Sequence, residues 1–258
     1  MQDRRPATRP DPLGASAGAG AGGRGLAAVL AVKDLTDAKS RLSPVLSAAA
    51  RRDLVLAMMA DTVVAARAAG VDDVVVVTPD ATVAAAAADL GARAVDDGGA
   101  HPAAHDVSAR DGGPLNRAFA RGIAAASGRT PGTRVIVLQA DLPTARTDHL
   151  REVLAMSTAH SRSFVPDRSG TGTAMLILSD NADVTTRFGL DSAAAHRAGG
   201  AVDLTDGDPD RWPDLRADVD TVDDLHVARA LGVGTATARV LDDGSLSSLG
   251  ATPTPHAS

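Results

Sequence analysis

Three aspartates stand where extended segments run out. Asp141 follows the aliphatic run Val135-Ile136-Val137-Leu138, and Leu142-Pro143 turns the chain away behind it. Asp218 and Asp220 lie in Asp218-Val219-Asp220-Thr221, at the end of a second apolar stretch. Alternate residues of an extended segment share a side, so Asp218 and Asp220 face the same way. Two like charges held together call for a cation, or one of them must take up a proton. Mg2+ is a hard cation that prefers carboxylate and phosphate oxygens, and it suits such a set. Ligands of open α/β sheets sit beyond the carboxyl ends of the strands. The pattern therefore points to metal-assisted phosphate chemistry at that edge. Plain alternatives exist beside this reading. Asp141 reads equally as a turn residue, and Asp220 or Thr221 as the cap of the next helix.

Cations accompany them. The loop Lys33-Asp34-Leu35-Thr36-Asp37-Ala38-Lys39-Ser40-Arg41-Leu42 carries Lys33, Lys39 and Arg41 directly after the first aliphatic run. Such a loop suits a triphosphate, or it is simply a solvated charged loop. It lacks the G-x-x-x-x-G-K-[ST] pattern of a P-loop. In Ser169-Gly170-Thr171-Gly172-Thr173 the glycines let backbone N–H groups approach an anion; the alternative is a hairpin turn. Arg187-Phe188-Gly189-Leu190-Asp191-Ser192 leads into a helix and suits a phosphate or carboxylate, or serves only as its cap. His101 and His105 flank Pro102 in a Gly-rich stretch, and His149, His160, His196 and His226 show no ligand spacing.

The elements that must position these groups alternate. Leu26–Val32, Val74–Thr78, Ala92–Val95, Arg134–Leu138, Ser163–Pro166, Thr173–Leu178, Ala201–Leu204 and Leu215–Val219 read as strands. Helices are expected over Ala48–Ala69, Thr82–Leu90, Pro114–Ala126, Thr147–Ala159, Ser192–Ala198 and from Thr221 to about Leu231, with Asp224 in the first turn of the last. Strand-helix repetition of this kind predicts an α/β fold of three layers, with a mostly parallel sheet covered on both faces. Of the 258 residues, 44% are hydrophobic but only 2% aromatic. The core must then be built from Ala, Val and Leu, as parallel strands prefer. Residues 1–24 read as a disordered leader, 25–233 as the catalytic domain with a mobile insertion at about 96–113, and 234–258 as a disordered tail.

Composition narrows the function. A net charge of −6 argues against a nucleic-acid binder. The absence of cysteine excludes disulfides, thiolate catalysis and Cys-zinc sites. No apolar run is long enough to span a membrane, and a cytoplasmic location is expected.

Taken together, K-x(5)-K-S-R-L, A-D-L-P, G-T-G-T, R-F-G-x-x-S-x-x-x-H and D-V-D-T resemble the 2-phospho-L-lactate or phosphoenolpyruvate guanylyltransferases of coenzyme F-420 biosynthesis, within the MobA-like nucleotidyltransferases. The similarity runs from about Leu26 to Gly232. It implies a single nucleotide-diphosphosugar-transferase-like, Rossmann-like domain that joins GMP from GTP to a phosphorylated three-carbon acid. It also implies one or two Mg2+ on Asp141, Asp218 and Asp220, and acid-phosphate contacts from Thr173, Gly189 and Ser192. Lys33, Lys39 and Arg41 would lie near the GTP phosphates, with Lys39 and Arg41 acting on the leaving diphosphate. Asn116 is the candidate on the guanine side, and a homodimer is among the expected assemblies. Three features depart from the pattern: the acids Asp34 and Asp37 in the first loop, the length of 98–113, and Gln139-Ala140 where Gly is commoner before Asp141. Two alternatives stay open: a nucleotidyltransferase for a sugar phosphate or a molybdopterin, and a non-catalytic GTP-binding regulator.

Overall fold

The computed structural model describes residues 25–98, 113–128, 132–179, 182–206, 208 and 210–243. The leader expected over 1–24 and residues 99–112 of the insertion expected over 96–113 lie outside these residues.

Strands β1 (Leu26–Ala31), β2 (Asp73–Val77) and β4 (Arg134–Leu138) are aliphatic runs buried on both faces, which is how parallel strands read. With β3 (Arg93–Val95) they pair in parallel. Strands β5 (Arg162–Pro166) and β6 (Thr173–Leu178) form an antiparallel hairpin, and β6 also runs antiparallel to β4. Short β7 (Val202–Asp203) pairs in parallel with β5. The seven-stranded order is β3-β2-β1-β4-β6-β5-β7. The sheet is mostly parallel, as expected.

The two-residue period of the strands divides the core. Ala28, Leu30, Val74, Val76, Ile136 and Leu138 face one side. There they meet α1 (Ala48–Ala68), α2 (Ala81–Asp89) and α4 (Thr147–Met156). Ala27, Val29, Val75, Val77, Val135 and Val137 face the other, against α3 (Gly113–Ser127) and α5 (Ser192–Ala198). Helix α3 lies so close to the sheet that a Cβ on Gly122 would stand 2.3 Å from Val29 Cγ1 and 2.8 Å from Val77 Cγ2. Alanine has the better helix propensity by about 1 kcal/mol. Overpacking a buried sheet costs about 1–3 kcal/mol, and two branched neighbours leave nowhere to yield. Gly122→Ala is therefore expected to destabilise by about 1–2 kcal/mol, read as a lower urea midpoint with an unchanged slope.

A third core lies at the carboxyl edge of the sheet. Leu42, Leu54, Met58, Val219, Leu225 and Leu241 pack there. This cluster ties the loop after β1 to α6 (Val222–Leu231) and α7 (Thr235–Asp242). Helix α7 corrects the expectation of a disordered tail from 234. It carries one strong apolar anchor, Leu241, and so gives little periodic signal. Its start is fixed by Asp61 of α1, whose carboxylate accepts from the N–H groups of Ala236 (3.0 Å) and Thr237 (2.8 Å). Residues 244–258 lie outside the described part.

Leu215–Val219 is not a strand, which corrects a second expectation. Pro213–Leu215 form a 3-10 turn and the next five residues run irregularly. The segment is buried as its apolar residues demand, but its neighbours are loops. The Arg216 guanidinium holds the Asp167 carbonyl at 3.0 Å, and the Val219 N–H reaches the Asp141 carbonyl at 3.2 Å.

Candidate active site

Strand β1 has β2 on one side and β4 on the other, and the chain leaves β1 and β4 at the same edge. That crevice is where open α/β sheets bind ligands. A cavity of about 520 Å³ opens there. It is lined by Lys33, Lys39 and Arg41 from the loop after β1, by Asp141 from the end of β4, and by Asp218 and Asp220. Residues 185 positions apart in sequence are thus drawn to one wall, with 218 − 33 giving the span from Lys33 to Asp218.

Several contacts hold the wall in place. Thr62 of α1 is buried, and its hydroxyl lies 3.3 Å from the Leu142 carbonyl and 3.5 Å from that of Ala140, either side of Asp141. Helix α6 is capped by Thr221, whose Oγ1 accepts from the Asp224 N–H at 3.2 Å while Asp224 Oδ2 accepts from the Thr221 N–H at 2.9 Å. Capping therefore falls to Thr221 and Asp224, and Asp218 and Asp220 are left facing the cavity. Asp34 serves the first loop as a cap, accepting from the Thr36 N–H at 2.7 Å.

Lys39 occupies the centre. Its φ of 49° places a non-glycine residue in the left-handed region, a strain of the kind that concentrates at functional sites. Its Nζ donates to Asp220 Oδ1 at 2.7 Å and also to Asp141 Oδ2. Burial alone would lower the Lys39 pKa, but Asp141 and Asp220 outweigh it and raise the group above its ordinary value. Among the described residues, Asp218 has no such partner. Burial, then the charges of Asp141, Asp167 and Asp220, push it up to about 7. Asp167 is a carboxylate that the sequence reading missed; its only signal was its position just past Pro166 at the end of β5.

Among the described residues, no three acidic or histidine side chains are gathered tightly enough to ligate one ion as they stand. The wall is nevertheless short of positive charge. Asp141 Oδ1 is buried with no hydrogen-bond partner among the described residues, and Asp218 is forced towards the neutral acid. Oxygen ligands of this kind fit a hard divalent cation.

Thr173, Gly189 and Ser192 are also brought together, beside the cavity and not on its lining. Thr173 begins β6, and Gln139 of the cavity wall donates to its carbonyl at 3.4 Å. Ser192 Oγ donates to Thr173 Oγ1 at 3.1 Å, and the Ser192 N–H donates to the Gly189 carbonyl at 3.2 Å. Gly189 has φ of 134°, which favours glycine. The buried His196 joins the same cluster through Thr173. Asn116, the candidate on the guanine side, is buried behind this loop. Its Nδ2 donates to the Phe188 carbonyl and its Oδ1 accepts from the Phe188 N–H, both at 2.8 Å. A buried amide so engaged braces the 187–191 segment. Its neighbour Leu115 lines the cavity instead.

His196 carries a pH dependence. Burial, then the charges of Arg162 and Arg187, lower it to about 4. Its unfolded value is near 6.5, so between about 6.5 and 4 the unfolded chain binds the extra proton. The contribution of this group to stability falls as pH drops through that window. The loss is at most about 3 kcal/mol, at about 1.4 kcal/mol per unit. Asp218 shifts stability the opposite way over the same range, so the test is the stability difference between the wild type and His196→Gln, which should fall by about 2 kcal/mol from pH 7 to pH 5.

Comparison with known proteins places the chain in a family. The family model described as guanylyl transferase CofC like matches residues 26–198. The phosphoenolpyruvate guanylyltransferase of Mycobacterium ulcerans is 46% identical over 213 residues, covering 83% of this chain and 92% of that protein. The protein of the same name from Mycolicibacterium vanbaalenii is 48% identical over 214 residues, covering 83% and 93%. Among solved structures, a protein of the nucleotide-diphospho-sugar transferase type from Desulfovibrio desulfuricans G20 superposes with a TM-score of 0.56 over 87% of this chain and 93% of that one. A nucleotidyl transferase from Methanothermobacter superposes with a TM-score of 0.51 over 81% and 98%. Both are 15% identical to this chain and speak to the fold alone. The family match spans most of the chain, and the relatives align over nearly their whole length: the chain belongs to the CofC-like guanylyl transferase family.

Proposed function

We propose that this protein transfers GMP from GTP to phosphoenolpyruvate with release of diphosphate, as a step of coenzyme F-420 biosynthesis. The observation that carries this reading is the meeting of Lys33, Lys39 and Arg41 with Asp141, Asp218 and Asp220 in one cavity. Relatives bearing the name phosphoenolpyruvate guanylyltransferase, at 46% and 48% identity, support the choice of acceptor.

The chemistry is a displacement at the α-phosphorus of GTP. A phosphate oxygen of the acid forms the new P–O bond, and the bond to the β-phosphate oxygen breaks. The nucleophile is already an anion at neutral pH, so no general base is needed. Catalysis then reduces to positioning and charge neutralisation. Lys33 and Arg41 are exposed on the wall and reach for the β- and γ-phosphates. Lys39 and Arg41 stabilise the negative charge that gathers on the departing diphosphate. Asp141, Asp218 and Asp220 would hold one or two Mg2+, which supply charge neutralisation between nucleophile and triphosphate when bound. Thr173, Ser192 and the backbone at Gly189 hold the acid's phosphate.

The test is diphosphate release from GTP and Mg2+ with phosphoenolpyruvate, 2-phospho-L-lactate, a sugar phosphate and molybdopterin in parallel. Fastest release with phosphoenolpyruvate is expected. Release only with the sugar phosphate or molybdopterin overturns the acceptor class. GTP binding with no release in any arm marks a regulator instead.

A further inference from the structure

The hydroxyl cluster beside the cavity contains a histidine that the reaction does not use. His196 is fully buried on the inward face of α5, with Ser192 and Ala193, and lies against Phe188 and Phe164 with centroids 5.1 and 5.9 Å away. Its two ring nitrogens are both engaged. The Arg187 backbone N–H donates to Nε2 at 3.0 Å, and Nδ1 lies 3.0 Å from Thr173 Oγ1. A neutral imidazole has one N–H and one acceptor nitrogen. A backbone N–H can only donate, so Nε2 must be the acceptor and Nδ1 must carry the proton. Burial and the two nearby arginines keep the ring neutral, so this tautomer holds across the neutral range.

The consequence falls on Thr173. Its Oγ1 accepts from His196 Nδ1–H and from Ser192 Oγ–H at 3.1 Å. A hydroxyl has two acceptor lone pairs and one proton. With both lone pairs filled from the protein side, the Thr173 proton is committed to neither neighbour. We infer that His196 is a positioning residue for the acid substrate, fixing the polarity of the Thr173 hydroxyl so that its proton is donated to the acid's phosphate. A wrong tautomer would turn the Thr173 proton inwards and set a lone pair against an anion. This rests on the reading that Thr173 meets the acid's phosphate, with Ser192, whose hydroxyl proton goes to Thr173, acting through it.

Two substitutions separate this role from packing. Asn can reproduce the Nδ1–H donor of His196, and Gln can reproduce the Nε2 acceptor. His196→Gln is expected to raise the KM for phosphoenolpyruvate about tenfold, the scale of one hydrogen bond to a charged group. The KM for GTP should stay within about twofold. His196→Asn should recover most of the loss. Equal effects of the two variants, or parallel shifts in both KM values, overturn the inference. Thr173→Val separates it from the reading beneath. If Thr173→Val leaves the KM for the acid unchanged, the acid site itself is misassigned, and the inference falls with it. If Thr173→Val raises that KM and His196→Gln does not, only the role of His196 is lost. The wild-type protein supplies a check that needs no variant to fold: nitrogen chemical shifts of 15N-labelled histidine should report the Nδ1–H tautomer for His196, and finding the proton on Nε2 overturns the proposal.

Discussion

Asp218→Asn is expected to lower turnover by about a thousandfold while raising the stability of the fold at pH 8. The two effects share one cause. Burial and the charges of Asp141, Asp167 and Asp220 hold the Asp218 carboxyl at about 7, against an ordinary value of 3.8. Between those values the folded state binds a proton that the unfolded chain does not, so stability declines as pH rises through the window. Above pH 7 the full penalty is in place, and it amounts to no more than about 4 kcal/mol at about 1.4 kcal/mol per unit. A neutral amide removes it. Function has the opposite sign, because the site uses that unpaid negative charge to attract a cation beside the nucleotide. Deleting one element of a preorganised electrostatic site costs about two to three orders of magnitude. Thermal melting at pH 8 and pH 4, with diphosphate release under saturating GTP, measures both. At pH 4 the stability difference should nearly vanish. A variant that keeps turnover within a few fold of wild type would remove Asp218 from the chemistry.

Which parts of this site could be read from the chain follows from how local their cause is. Asp141 was visible because a buried strand must end, and β4 is aliphatic up to Leu138. Asp218 and Asp220 were visible for a related but faulty reason. The segment before them is apolar and buried, yet it forms no strand, because loops and not a neighbouring strand receive its backbone groups. Burial was legible there and hydrogen-bond partnership was not. The antiparallel placement of β6 between β4 and β5 is likewise a matter of pairing, which one strand's sequence does not encode. Helix α7 escaped notice because its order comes from Asp61, more than 170 residues earlier in the chain. His196 looked bland for the same reason: its partners Thr173 and Arg187 are set by the hairpin and by the loop before α5, not by any ligand spacing. Asn116 shows the same limit of local reading. The family resemblance makes it a candidate on the guanine side, while its pairing with the Phe188 backbone depends on a loop more than 70 residues later.

Lys39 was read as a phosphate ligand, and its position adds a second task. Its ammonium stands between Asp141 and Asp220, where it offsets two charges that would otherwise repel. The third core supports this arrangement from below, since Leu42 of the lysine's loop and Val219 of the aspartates' segment pack in one cluster. Lys39→Met is therefore expected to act twice. Turnover should fall by about two to three orders of magnitude, because a cation is lost beside the leaving diphosphate. The fold should also weaken in the presence of a chelator. Breaking a buried ion pair by removing one partner costs about 3–5 kcal/mol; with Asp220 half exposed, about 2–3 kcal/mol is the better figure. That corresponds to roughly 5–10 °C in Tm for a domain of this size. Mg2+ should then restore much of the lost Tm in Lys39→Met and add little to the wild type, since a divalent ion can take over the neutralising role that the ammonium fills. Lys39→Arg separates charge from shape: it keeps the charge and should hold the Tm, yet its planar fork does not match a point cation between two carboxylates, so turnover should still drop. Melting each variant with chelator and with Mg2+ decides the matter. If Mg2+ stabilises neither Lys39→Met nor the wild type, these carboxylates do not form the cation site, and Lys39 is left with its ion pairs to Asp141 and Asp220 alone.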